Sequence, residues 1–413
     1  MNRFRAFLPA LLLVFSCHGG GGSSSTPSLS DDPGCDDINA VGNGMEVIPG
    51  PSGPEGEDYD QPFRSLTVDP TDANRILCGT ERNGVVLSRD GGSTWERLRL
   101  GLRHFEGKYP EIWDIAISPR GLSNVILATK DSPGPLTGDY PSSMAGVYRW
   151  DSGGSPIRRS NCGLRSPNTT SVLFDPADPQ LVVLGMEGGE PSMDGFQGQY
   201  SDGGLFYSTD GGAHWAAAAA PAGAARNGYW HLRKRAGSFI TFGCNYDDPS
   251  TSLGFLKSTD GGRTWVPFGD ASIRTRRILA FDLSSDGNVI YAHDRDTNLI
   301  WKSANGGSSW SEMAPGFGGT AIALKVFPLD SNIVLCGTRG GGLYKTTDGG
   351  LSWAAVRDES GNSLADVQDV EFAPSAPLTV WAVTYGYKIY KSENGADTFQ
   401  FKENLRDWIN GQP

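Results

Sequence analysis

The segment that decides the fold is SRDGGSTW at residues 88–95, because closely similar segments return along the chain. The clear copies are STDGGAHW (208–215), STDGGRTW (258–265), SANGGSSW (303–310), TTDGGLSW (346–353) and SENGADTF (392–399). Their starts are 120, 50, 45, 43 and 46 residues apart. The wide first gap contains VYRWDSGG (147–154), a weaker copy, so the chain carries seven repeats of one structural unit.

Each copy has the chemistry of a tight turn between two strands. In the first, GVVLS (84–88) enters the turn and WERL (95–98) leaves it. The Asp or Asn side chain can accept backbone N–H bonds across the turn, and glycine supplies positive φ. The aromatic residue buries a large apolar surface between neighbouring sheets. We therefore predict structural roles, not catalytic ones, for Asp90, Trp95, Asp210, Trp215, Asp260, Trp265, Asn305, Trp310, Asp348 and Trp353.

Two further strands precede each turn motif. SLTVDP (65–70) and RILCGT (75–80) form the first such pair, and ALKVFP (323–328) with NIVLCG (332–337) repeats the pattern. Four antiparallel strands, A to D, make one propeller blade. The sequence thus predicts an all-β protein, a single seven-bladed β-propeller over residues 61–405, with a tail at 406–413.

Composition agrees with this architecture. Of 413 residues, 56 are glycine and 42 are Trp, Tyr or Phe, which suits many short strands joined by turns around a core. The net charge of −12 argues against nucleic acid as a partner, because phosphate binding needs a basic surface. We expect a monomer.

The N-terminus predicts export. Residues 1–17, MNRFRAFLPALLLVFSC, have a basic start and a short apolar core typical of a signal peptide. VFSC (14–17) resembles a bacterial lipobox, which makes Cys17 the predicted lipidation site. Residues 18–60 are rich in Gly, Ser and Pro and predict a flexible tether. The expected location is the bacterial cell envelope, with the membrane contacted through the lipid alone.

The remaining cysteines predict no complete disulfide framework, since their number is odd. Cys78 and Cys336 occupy the same place in two repeats, each followed by Gly-Thr. Equivalent positions in separate blades are poor neighbours, so we expect both to be buried as small apolar residues.

The predicted functional face carries the loops between strands B and C, because insertions on one face of a repeat protein mark its binding side. These loops are longest in blades 2–4, at about residues 130–145, 186–204 and 245–254. Trp113 and Trp230 begin strand A of blades 2 and 4, near the channel mouth. Candidate ligand-binding residues are Trp113, Tyr140, Glu190, Phe196, Tyr200, Trp230, His231 and Tyr246.

Acids beside aromatic rings suit carbohydrate, because rings stack on sugar faces and paired carboxylates can protonate a leaving oxygen and activate water. Glu187 is a candidate catalytic carboxylate on this reasoning. The alternative is that loop acids merely solvate their loops. No cofactor is expected, although Glu187, Glu190 and Asp194 offer oxygen ligands that could hold calcium.

The repeated turn resembles the Asp-box, or BNR repeat, of sialidase-like β-propellers. AlaThrLysAsp (128–131) followed by AlaGlyValTyrArgTrp (145–150) is similar to a catalytic segment of xyloglucan-cleaving glycoside hydrolases, which implies a catalytic role for Asp131. An insertion interrupts the segment here, and those enzymes draw their other carboxylate from a second propeller. The chain also resembles photosystem II assembly-factor propellers and sortilin-type receptor domains.

Two functions follow from these resemblances. The first is a glycan-directed envelope protein, either a glycoside hydrolase or a carbohydrate-binding relative, whose partner is a polysaccharide or glycoconjugate. The second is a non-enzymatic propeller that binds an envelope protein.

Overall fold

A computed structural model describes residues 62–102, 109–130, 145–153, 156–164, 168–187, 203–245 and 248–406. Within them, twenty-eight of the strands form seven antiparallel sheets of four, each built from consecutive strands. The first strand of each sheet contacts the first strands of its neighbours, so these strands surround a common centre. The prediction of an all-β, seven-bladed propeller is confirmed.

The blades follow one another in chain order. Blade 1 is β1 (Phe63–Val68), β2 (Ile76–Thr80), β3 (Val85–Ser88) and β4 (Glu96–Leu98); blade 2 is β5 (Glu111–Ser118), β6 (Gly121–Lys130), β7 (Gly146–Trp150) and β8 (Arg158–Arg159). Blade 3 is β9 (Thr169–Asp175), β10 (Asp178–Met186), β11 (Gly204–Ser208) and β12 (Ala216–Ala217); blade 4 is β13 (Leu232–Arg235), β14 (Ser238–Gly243), β15 (Gly254–Ser258) and β16 (Val266–Pro267).

Blade 5 is β17 (Ile278–Leu283), β18 (Ile290–Asp294), β19 (Leu299–Ser303) and β20 (Ser311–Met313); blade 6 is β21 (Thr320–Val326), β22 (Val334–Arg339), β23 (Leu343–Thr346) and β24 (Ala354–Ala355). Blade 7 is β26 (Val367–Ala373), β27 (Ala376–Thr384), β28 (Lys388–Ser392) and β29 (Thr398–Asn404). The short strand β25 (Arg357–Asp358) pairs in parallel with β29 and adds a fifth strand to blade 7. Short 3-10 helices lie at Ala224–Arg226, Pro249–Thr251 and Ala271–Ile273.

Blades 7 and 1 share no strand, because each sheet is built from its own part of the chain. Packing and side-chain hydrogen bonds between these two blades therefore close the ring. The indole Nε1 of Trp381 donates to the Ala73 carbonyl at 2.9 Å. The Leu66 N–H donates to Asp369 Oδ2 at 3.0 Å. A buried apolar cluster that includes Phe63 and Tyr387 fills the interface, so burial between blades holds the last blade against the first.

The repeated turn is organised by its acidic residue. Asp90 Oδ1 accepts from the backbone N–H groups of Ser93 and Thr94, at 3.0 and 2.9 Å, and Oδ2 accepts from the Thr94 hydroxyl at 2.6 Å. Bonds from Thr94 lower the pKa of the Asp90 carboxyl to about 2. The corresponding Asp210, Asp260, Asn305 and Asp348 accept from backbone in the same way. The turn side chains therefore replace missing backbone partners.

The tryptophans of the turns differ in burial. Trp215 and Trp265 are buried, with 1% and 3% of their surfaces exposed, whereas Trp95, Trp310 and Trp353 are half-buried. Trp215 Nε1 donates to the Ser160 carbonyl of blade 2 at 2.8 Å. This tryptophan therefore joins two blades.

The cysteines are divided between buried thiols and a disulfide. Cys78 and Cys336 are free and fully buried, as expected, and Cys244 is also a buried free thiol. Cys162 is disulfide-bonded, which the sequence did not predict. No helix in the described part of the chain is long and apolar enough to cross a membrane.

Candidate functional site

The inner strands carry a β-bulge close to the face with the B–C loops. The register of β1, β5 and β9 shifts at Arg64, Trp113 and Thr170, and β17, β21 and β26 shift at the corresponding place. A bulge takes one residue out of the ladder and re-aims its side chain, and bulges are frequent beside functional sites. The bulged residues therefore gather at the mouth of the central channel.

Blades 1 and 2 contribute an ion-paired group to this mouth. Arg64 Nη2 lies 2.8 Å from Glu81 Oε1 and 3.5 Å from Glu111 Oε2. Trp113 Nε1 donates to the same Glu111 Oε2 at 3.0 Å. The Arg64 guanidinium lies over the Trp113 ring, 5.4 Å from its centroid, in a cation–π arrangement. Trp113 is thereby held in one orientation by a carboxylate and a cation.

Blades 2 and 3 complete the group through Lys130 and Glu187. Lys130 Nζ forms an ion pair with Glu187 and lies 5.0 Å from the Trp113 ring centroid. Lys130 is the last residue of β6, and Glu187 directly follows β10. The ion pair therefore lies where the two longest B–C loops begin. We call these residues the mouth cluster: Arg64, Glu81, Glu111, Trp113, Lys130 and Glu187.

Trp230 and His231 lie in blade 4, immediately before β13. Trp230 is half-buried, and its ring covers Gly228 so closely that a Cβ there would lie 2.1 Å from an indole carbon. His231 makes an edge contact with Phe281, 6.2 Å between ring centroids. The structure therefore brings Trp113 and Glu187 into one cluster, and Trp230 and His231 pack against blade 5.

The other predicted residues lie outside the described part of the chain. They are Cys17, Asp131, Tyr140, Glu190, Asp194, Phe196, Tyr200 and Tyr246. Among the residues that the structure does describe, no group of three or more His, Cys, Asp or Glu side chains could hold a metal ion.

Sequence reasoning missed an arc of alternating charge inside the channel. Arg233, Asp282, Lys325 and Glu371 occupy the same place in the inner strands of blades 4–7, as the strand registers show. Arg233 Nε donates to Asp282 Oδ1 at 3.1 Å, and Lys325 pairs with Glu371. The sequence signal for this arc is a charged residue at the same position of four successive inner strands. It becomes visible only when the inner strands of successive repeats are aligned.

Three channel carboxylates also join consecutive blades. Asp114 Oδ2 accepts from the Val172 N–H at 2.9 Å, and Asp282 Oδ2 accepts from the Val326 N–H at 2.9 Å. Asp369 makes the corresponding bond across the ring closure. Each carboxylate therefore accepts a hydrogen bond from a backbone N–H of the next inner strand. These bonds hold neighbouring blades together along the channel.

The half-buried Asp114 predicts a measurable pH dependence of stability. Burial raises the pKa of this carboxyl to about 6, although two N–H bonds and the charges of Arg233 and Lys325 oppose the shift. Because the folded pKa lies above the unfolded one, the contribution is fully present below about pH 4 and is lost as pH rises through 6. Between pH 7 and pH 5 we expect Asp114 to add about 1 kcal/mol to the unfolding free energy.

The measurement is urea unfolding at both pH values for the wild type and Asp114→Asn. The variant should lack this increment while sharing the remaining pH dependence. Parallel profiles for the two proteins would contradict the assignment.

Comparisons with known proteins support the fold. No protein-family model matches the sequence, and no curated protein matches it significantly. Among solved structures, a GH74 xyloglucanase from Xanthomonas campestris is similar at 21% identity and a TM-score of 0.61; the alignment covers 83% of this chain and 55% of that one. An ancestral GH74 enzyme is similar at 18% identity and TM-score 0.61, covering 86% of this chain and 47% of that one.

A second kind of neighbour is a single propeller. YCF48 from Cyanidioschyzon merolae is similar at 16% identity and a TM-score of 0.54, with 82% of this chain and 95% of that chain covered. This chain thus spans about half of the GH74 xyloglucanase and nearly all of the YCF48 structure. At these identities the likeness establishes the shared propeller fold.

Proposed function

We propose that this protein binds a glycan on the face that carries the B–C loops of blades 2–4, and that it does so without cleaving it. The observation that carries the proposal is the mouth cluster, in which Trp113 and paired charges stand where the two longest loops begin. Such a surface offers hydrogen-bond donors, acceptors and an indole edge to hydroxyl-rich rings.

The ion pairs favour binding over hydrolysis. A glycoside hydrolase needs two carboxyl groups free to act on the glycosidic oxygen and on water, whereas these carboxylates are engaged in ion pairs. Glu187 faces the Lys130 ammonium, and Glu81 faces Arg64. The described carboxylates of the mouth are thus arranged to hold cations in place. A catalytic role for Asp131 stays a prediction from resemblance.

We further propose that the protein is exported and anchored through a lipid at Cys17. The basic and apolar start of the chain supports this, as does the disulfide at Cys162, because disulfides persist in oxidising compartments. The location that fits both is the bacterial cell envelope.

The second candidate is a protein-binding propeller of the envelope. The similarity to YCF48 favours it, because that structure is matched over 95% of its length, and a further neighbour is YCF48 bound to a D1 peptide. An extended protein segment would use the same channel face.

The proposed site is tested with Trp113→Ala in the full chain, in detergent, by affinity electrophoresis through gels containing single polysaccharides. We expect the wild type to be retarded by at least one glycan and the variant to bind about tenfold more weakly. Lys257→Ala, which removes an exposed cation of blade 4, is the control and should match the wild type. Equal retardation of all three proteins would reject the mouth cluster as the binding site.

A further inference from the structure

A crevice of about 320 Å³ lies between blades 2 and 3, on the face opposite the mouth cluster. Its walls come from the A–B turn and outer strands of blade 2 and from the repeated turn of blade 3. The residues that matter here are Asn124, Arg149, Arg158, Ser160 and His214. It therefore belongs to neither the channel nor the proposed glycan face.

The crevice occurs in the blade whose turn motif is eroded. Aligning β7 with β3 through their pairing to the second strands places Trp150 where Ser88 stands in blade 1. Trp150 itself lines the crevice. Counting on through the turn, Ile157 takes the place of Trp95 and is buried in the core between blades 1 and 2, so the eroded motif bears on the crevice through Trp150.

Arg149 occupies a position that is lysine in blades 4–7. Lys257 of blade 4 is exposed, whereas the lysines of blades 5–7 bond the next blade. Lys302 Nζ donates to the Gly349 carbonyl at 2.9 Å, and Lys345 Nζ donates to the Gly395 carbonyl at 2.7 Å. The corresponding carbonyl for Arg149 is that of Gly211, in the turn of blade 3. The repeat pattern thus predicts a bond from Arg149 to Gly211.

Other donors have taken the carbonyls that Arg149 would use. Asn124 Nδ2 donates to the Gly211 carbonyl at 2.8 Å, and Ser160 Oγ donates to the Gly212 carbonyl at 2.5 Å. Arg149 Nε is shielded from solvent and has no acceptor within the described residues. A shielded N–H donor without an acceptor is costly, and the partial burial of the group lowers the pKa of Arg149.

A second guanidinium adds to the positive charge. Arg158 of β8 is paired directly opposite Arg149 of β7, so the two side chains leave the sheet on the same side. No described carboxylate lies within 4 Å of either group, and the nearby Asp210 is engaged by His214, whose Nδ1 lies 2.5 Å from Oδ2. Asp151 also lines the crevice, but it and Asp210 act on Arg149 from beyond ion-pair distance. Two facing cations with no direct ion-pair partner among the described residues would be stabilised by a bound anion.

We propose that this crevice is a binding site for an oxyanion, the carboxylate, sulfate or phosphate group of a small ligand, held between Arg149 and Arg158. The guanidinium fork matches the paired oxygens of these groups, and charge-assisted bonds of this kind are strong. The volume exceeds that of a bare ion and lies at the lower end of the range for small-molecule sites.

The test is isothermal titration calorimetry of the full chain in detergent with sodium sulfate, sodium phosphate and sodium glucuronate, at ionic strength held constant with chloride. We expect saturable binding of at least one anion, about tenfold weaker in Arg149→Met because a charged hydrogen bond is lost. The anion that binds identifies the class of ligand. Binding of glucuronate alone indicates an acidic sugar, whereas binding of sulfate or phosphate indicates a sulfate or phosphate ester.

Lys302→Met is the matched control, because it removes the cation at the same position of blade 5, where a carbonyl already satisfies it. Its anion affinity should equal that of the wild type. If Arg149→Met fails to fold, the anion affinity of Arg158→Met, a change at an exposed position, provides the same test. Absence of saturable binding for all three anions, or equal affinity in the arginine variants, would overturn the proposal.

Discussion

Replacing Trp215 with alanine is expected to lower the unfolding free energy by about 4 kcal/mol, the largest loss for any turn tryptophan. The side chain is 1% exposed and packs in the core between blades 2 and 3. Its Nε1 donor also bonds the Ser160 carbonyl across that interface. The variant therefore creates a cavity and leaves a carbonyl without its indole donor. Equilibrium unfolding in urea measures the loss.

Trp353→Ala is the control for this prediction. Trp353 occupies the same place in blade 6 but is half-buried, and its Nε1 has no hydrogen-bond partner among the described residues. Its replacement should cost about 2 kcal/mol, since less apolar surface is lost. If both variants lose the same stability, the turn tryptophans do not act through the interfaces seen here.

Asp282→Ala is expected to cost about 4 kcal/mol, because removing one partner of a buried ion pair leaves uncompensated charge. Asp282 has a side chain 3% exposed and lies 3.1 Å from Arg233 Nε and 3.2 Å from Arg235 Nη2. These cations keep the pKa of its carboxyl below the usual value, against the effect of burial. The alanine variant also deprives the Val326 N–H of its acceptor.

Asp282→Asn separates the two contributions. The amide oxygen can still accept from Val326 but carries no charge, so the loss should be intermediate between those of wild type and Asp282→Ala. Thermal unfolding followed by circular dichroism gives the order of the three proteins. A loss of less than about 1 kcal/mol in Asp282→Ala would show that the arc of charge does not stabilise the channel.

The sequence was sufficient for the fold because the repeated turn specifies local geometry. Asp90 and its neighbours combine a side-chain acceptor, a positive-φ glycine at 91 and an aromatic residue, and these constraints act within eight residues. Seven such units at similar spacing leave a propeller as the natural arrangement.

The site was less predictable because it depends on contacts between blades. Trp113 was a candidate, but nothing local indicates that Arg64 and Lys130, from other strands, lie over its ring. The same applies to Arg149. Its Nε has no acceptor among the described residues because Asn124 and Ser160 already donate to the blade 3 carbonyls that it would otherwise reach. Sequence patterns report the strand on which a residue lies, whereas partners across an interface depend on the assembled ring.

The most direct test of the proposed function incubates the wild-type full chain, in detergent, with a panel of plant and bacterial polysaccharides. Bound protein and newly formed reducing ends are measured on the same samples over the same time. Our account predicts that at least one polysaccharide retains the protein while reducing ends stay at the level of the protein-free control. Release of oligosaccharides would contradict binding without cleavage, and absence of retention by every glycan, together with saturable binding of an envelope-protein segment, would contradict a glycan ligand.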